Sequence, residues 1–106
     1  MKIIAVDFDG TLCENDFPNI GAPRAEIIEK LLAEKQLGAK IILWTCRTDQ
    51  QTKQAVEWCK ERGLTFDAVN DNLEEIKTSF ACNPRKIVAH EYWDDRAIPV
   101  PKPNKK

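Results

Sequence analysis

The sequence has little of what marks a secreted, membrane-spanning or nucleic-acid-coating chain. Its 106 residues include one His, one Met, one Tyr and four Gly. No apolar run approaches the roughly 20 residues of a spanning helix, and the N-terminal MKIIAVD meets an acid at position 7, unlike a secretory signal. Excess charge of one sign is missing too: 16 Lys+Arg balance 17 Asp+Glu for a formal net charge of -1. There is no overall basic field to draw nucleic acid or a membrane surface, although a local patch stays open. Cys13, Cys46, Cys59 and Cys82 lie 33, 13 and 23 positions apart, without the close pairs of a zinc site or redox dithiol. Reduced thiols in a cytoplasmic protein are the expectation. The single His90 falls inside a strand pattern, so Cys46 has no evident partner for thiol chemistry.

What is present is periodicity. Residues 2–7, KIIAVD, form a short β-branched run that reads as a buried strand. From Pro23 to Leu37, Ile27, Ile28, Leu31 and Leu32 recur at helical spacing, with Gly38 as a stop. AKIILWT, 39–45, is apolar on both faces, as a parallel strand is. A second helix is predicted from Thr48 or Asp49, where Thr48 to Gln51 has capping-box spacing, to Gly63. Leu64–Val69 reads as a third strand, Asn70-Asp71-Asn72 as caps for a short helix carrying Glu74 and Glu75, and 86–93 as a fourth strand. This β-α-β-α-β-α-β order predicts an α/β, Rossmann-like three-layer sandwich: a mainly parallel four-stranded sheet with helices on both faces. Residues 1–98 make one domain, followed by a Pro/Lys-rich tail, 99–106, expected to fray.

Parallel sheets of this kind bind ligands beyond the carboxyl ends of their strands. There the chain places Asp7-Phe8-Asp9-Gly10-Thr11, then Thr45-Cys46-Arg47, then Asp94-Asp95-Arg96. Four carboxylates at one edge repel unless a cation joins them, and hard oxygen donors suit Mg²⁺. Asp7 and Asp9, two apart, project to one side while Phe8 turns into the core. Gly10 permits a sharp turn, and Thr11 can tie its hydroxyl to the turn backbone.

These segments resemble the haloacid dehalogenase-like phosphohydrolases. The family's first motif is matched by Asp7-Phe8-Asp9-Gly10-Thr11, its second by Thr45 closing a hydrophobic strand, and its fourth by Asp94-Asp95. For its lysine, both Lys86 and Lys77 lie in the right interval. Lys86 directly precedes the last strand, but seven extended residues would put it roughly 23 Å from the carboxyl edge. Thr-Cys-Arg and Asp-Asp-Arg are similar to segments in the phosphatase domain of polynucleotide kinase-phosphatases and in small capless relatives.

The resemblance implies that Asp7 is the nucleophile and Asp9 the general acid and base. It implies that Mg²⁺ is held by the Asp7 side chain, the Asp9 backbone carbonyl, Asp95 directly and Asp94 directly or through water. Thr45 would bind a phosphoryl oxygen, with Gly10, Cys46 and Arg47 beside the substrate. Arg47 and Arg96 each fit either a substrate contact or a clamp on the aspartates. From Thr11 to Thr45 is 34 positions and from Val69 to Lys86 is 17, too few for an inserted cap domain. The expected partner is a phosphorylated substrate at an open site, either a large one (a nucleic-acid end or a phosphoprotein) or a small one covered by a second copy. Two other classes compete: a weakly active regulatory domain of the same fold, and a phosphate-accepting receiver. The receiver needs its acceptor Asp after the third strand and a fifth strand, and the chain ends first.

Overall fold

The computed structural model describes residues 1–103, and its core is a four-stranded, wholly parallel sheet. The strands are β1 (Ile3–Val6), β4 (Lys40–Leu43), β5 (Ala68–Val69) and β6 (Glu91–Trp93), in the order β5-β4-β1-β6. Register is set by Ile3 opposite Lys40 through Val6 opposite Leu43, and by Ile4 opposite Glu91 through Val6 opposite Trp93. The helices are α1 (Ala25–Gln36), α2 (Asp49–Glu61) and α3 (Glu74–Phe80). The expected three-layer α/β sandwich is therefore present.

Strand alternation divides the core between two faces. Ile4, Val6, Phe8, Ile41 and Leu43 pack with Ile28 and Leu31 of α1 and Ala55 and Cys59 of α2. Ile3, Ala5 and Ile42 face the other way, onto Leu73 and Ile87. Each fully buried aliphatic side chain contributes about 1.5–3 kcal/mol, so the two central strands anchor both layers.

Four local expectations need correction. The first is a two-stranded antiparallel hairpin, β2 (Cys13–Asp16) and β3 (Asn19–Pro23), where the periodicity indicated only a connection. Cys-Glu-Asn-Asp has little β propensity, and its pairing is fixed by contacts outside the segment. Pro23 therefore closes β3 rather than opening the helix. The chain turns at Arg24, whose amide donates to Leu12 O at 2.9 Å. Second, the helix caps are backbone ones: Thr48 makes no side-chain cap, and Leu73, not the Asn70–Asn72 run, is the N-cap of α3. Buried Asn72 is instead a brace, donating to Asn83 Oδ1 and Pro84 O and accepting from Val88 N.

Third, the last strand is shorter than 86–93. Residues 86–90 precede β6, and His90 Nδ1 accepts the Ile3 amide at 2.9 Å. Fourth, only Ala68 and Val69 of the run 64–69 pair as a strand, while Leu64 is buried against α2. Residues 97–103 form no regular element, and 104–106 of the expected tail lie outside the described residues. No helix among the described residues is long and apolar enough to cross a membrane. All four cysteines are unpaired.

Candidate active site

The carboxyl ends of β1, β4 and β6 converge as the topology requires. Asp7 leaves β1 with its amide donating to Trp93 O at 2.9 Å, which fixes the first loop against the end of β6. Phe8 turns into the core and is fully buried, packed edge-to-face on Trp58 at 5.5 Å. Gly10 has φ +91°, and a Cβ there would lie 2.8 Å from Asp95 Oδ1, so both the turn and the approach of Asp95 require glycine. Thr11 does not bond its own turn as expected. Its hydroxyl accepts the Asp95 amide at 3.0 Å and so joins the first loop to the last.

One carboxylate oxygen from each of Asp7, Asp94 and Asp95 lies within 4.8 Å of the others. Asp7 is half-buried, and its carboxyl is pushed up to about 6, first by burial and then by the charge of Asp94, with Asp95 and Asp9 adding; a Phe8 backbone N–H opposes them. Such a cluster favours a cation in its midst. The donors are hard oxygens, partly desolvated and short of positive charge, and they fit Mg²⁺ or a similar ion. The Asp9 side chain is not part of this cluster.

Asp9 belongs to Arg47. Arg47 Nε donates to Asp9 Oδ2 at 2.9 Å and Nη2 to Asp9 Oδ1 at 2.7 Å, a bidentate pair. Nη2 also donates to Asn19 O at 2.8 Å and Nη1 to Pro18 O at 3.2 Å, both on the hairpin. The guanidinium carbon lies 5.1 Å from the centroids of both the Phe8 and Phe17 rings, and the residue is 1% exposed. Of the two roles expected for it, Arg47 makes the clamp, gripping Asp9 while it also borders the site cavity. Its amide donates to Thr45 Oγ1 at 3.1 Å, while the Thr45 amide donates to Asn70 Oδ1 at 2.8 Å.

A cavity of about 320 Å³ opens among these groups, with Asp7, Asp9, Thr45, Cys46, Arg47, Asp94 and Asp95 on its walls together with exposed Arg96. Asn15 and Phe17 complete it from the hairpin. Sequence reading missed both; the turn chemistry of Phe17-Pro18-Asn19 was the available signal. Neither lysine lines the cavity. The Lys86 ammonium lies 5.8 Å from the centroid of the Tyr92 ring. Lys77 pairs with Asp71 at 2.7 Å and Glu74 at 3.1 Å, on the stretch just past β5 whose Asn70 holds Thr45.

No family model matches the chain, and no curated protein matches it. Among solved structures, it is similar to a conserved protein from Bacteroides thetaiotaomicron at 37% identity and a TM-score of 0.81, over 95% of this chain and 82% of that one. At that identity and coverage, the chain belongs to the same family as the Bacteroides thetaiotaomicron protein.

Proposed function

We propose that the protein is a Mg²⁺-dependent phosphomonoester hydrolase of the haloacid dehalogenase-like type, working through an aspartyl-phosphate on Asp7. The observation that carries this reading is the convergence of Asp7, Asp94 and Asp95 within 4.8 Å beside a glycine turn and Thr45 at the carboxyl edge of a parallel sheet.

Asp7, Asp94 and Asp95 would hold the ion with the Asp9 carbonyl, and when bound it would offset phosphoryl charge and keep Asp7 ionised. An Asp7 oxygen attacks phosphorus as the ester P–O bond breaks, and the Asp9 carboxyl gives its proton to the leaving oxygen. Asp9 then takes a proton from the water that attacks phosphorus, freeing Asp7 and phosphate. Thr45 hydrogen-bonds a phosphoryl oxygen. The lysine of the reading is Lys77, which would balance charge from the edge. With only a short hairpin beside the cavity, the site suits a large phosphorylated substrate, or a small one covered by a second copy.

Assay of p-nitrophenyl phosphate with Mg²⁺ and with chelator tests the proposal. Metal-dependent turnover that disappears in Asp7→Asn supports it; turnover retained by Asp7→Asn overturns it. Mg²⁺ binding without turnover would favour a regulatory domain instead.

A further inference from the structure

We infer that Arg47 is a positioning residue for the proton-transfer step, and that the β2–β3 hairpin is the part of the fold that holds it in place. The inference rests on the hydrolase reading above. Four donor contacts of the guanidinium go to two places only, the Asp9 carboxylate and the carbonyls of Pro18 and Asn19. The guanidinium carbon also lies 5.1 Å from the ring centroids of both Phe8 and Phe17. A buried, planar cation held on every edge has one orientation, and it imposes that orientation on the carboxylate it grips at two points.

The base of the hairpin meets Asp9 through a backbone bridge at Cys13, whereas its tip acts on the Asp9 carboxylate through Arg47. The hairpin strands lie outside the main sheet; its base is anchored by buried Cys13 and by Ile20 on the core, and its tip by this buried cation. Displacing the tip would strip two acceptors and one aromatic face from Arg47 and release Asp9 from its aim. The substrate enters past the same tip, because Asn15 and Phe17 line the cavity. Entry and acid placement thus share one element.

A latch that merely holds the fold together would lower all activity alike. A residue that aims the general acid matters most where the leaving oxygen needs a proton. The test compares p-nitrophenyl phosphate, whose leaving group departs as a stable anion, with propyl phosphate, whose leaving group does not, each with Mg²⁺. Arg47→Lys should lower kcat/KM for propyl phosphate about 100-fold, within the range of general acid catalysis, and that for p-nitrophenyl phosphate less than about tenfold. Phe17→Ala, at an exposed position, serves if Arg47→Lys does not fold, and should show the same selectivity at several-fold. Equal losses on the two esters, or none, overturn the inference while the hydrolase reading stands.

Hydrogen exchange supplies a readout independent of turnover. Asp9→Asn should speed exchange of hairpin amides in residues 13–23 at least tenfold and leave β1 and β4 unchanged; unaltered hairpin exchange overturns the coupling. If the wild-type protein hydrolyses neither ester, the hydrolase reading falls and the catalytic role falls with it, whereas the exchange result still decides whether hairpin and Asp9 are linked.

Discussion

Asp7 and Asp9 stand two residues apart on one loop and meet opposite surroundings. Asp7 faces Asp94 and Asp95 and has its carboxyl pushed up to about 6. Asp9 faces a buried guanidinium that meets both its oxygens. The same residue type thus becomes a site short of positive charge on one side and a closed ion pair on the other. The first needs a cation from solution; the second has its cation supplied by the protein and must take up a proton before it can act as an acid. This asymmetry suits a division of labour, with one carboxylate to attack and bind metal and the other to be aimed.

The comparison breaks most sharply at Asp7. Asp7→Asn should lower Mg²⁺-dependent turnover of p-nitrophenyl phosphate by at least about 10³-fold, because a nucleophile has no substitute in its neighbours; comparable rates in the two proteins would remove the distinction between the carboxylates. At the other carboxylate the expected effect is on folding. Arg47→Met leaves Asp9 beside an apolar pocket and frees two hairpin carbonyls, and should cost about 2–4 kcal/mol by urea denaturation. A cost within about 0.5 kcal/mol would mean that the pair contributes no more than a surface contact.

Gly10→Ala tests the junction between the two halves. A Cβ at φ +91° against the Asp95 carboxylate should cost on the order of 1–2 kcal/mol and weaken Mg²⁺ binding measured by calorimetry. Unchanged affinity would show that Asp95 has room to move.

The smallest expected effect is in metal-free stability against pH. Asp7 is raised from 3.8 to about 6, so between those values the folded chain keeps a proton that the unfolded chain has released. Stability should therefore fall as pH rises through that window, by on the order of 1–2 kcal/mol once screening by solvent is allowed for. Asp7→Asn should flatten that slope and stabilise the metal-free protein at pH 7. Saturating Mg²⁺ should also remove the slope, because bound metal keeps Asp7 ionised. A flat wild-type profile without metal would mean that burial and the charge of Asp94 do not raise Asp7.

Much of the asymmetric site was legible in the sequence, and the part that was not has a common cause. Ile3–Val6 and Lys40–Leu43 declare themselves because a strand covered on both faces must be apolar throughout. Asp7, Thr45 and Asp94 follow, since strand ends place them at one edge whatever the loops do. Arg47 could be located but not assigned: its partners on the hairpin, Pro18 and Asn19, offer only carbonyls, which every residue has. The hairpin itself is polar in β2 beyond Cys13, and its tip meets Arg47 through those carbonyls, so no local pattern marks it. The lysine followed the same rule. Adjacency to the last strand favoured Lys86, yet 86–90 do not pair as strand, and Lys77 is engaged by Asp71, a contact no spacing rule describes.

Phe8 joins the two halves of the molecule. It lies between Asp7 and Asp9 in the chain, supports the Arg47 guanidinium on one side and meets Trp58 of α2 on the other, while Arg62 lies 3.8 Å over the Trp58 ring. A connected run of ring and cation contacts therefore leads from the C-terminal end of α2 to the aimed carboxylate. In evolutionary terms, position 8 is where selection for a stable interior and selection for a working site act on one side chain, and neither can change it without the other.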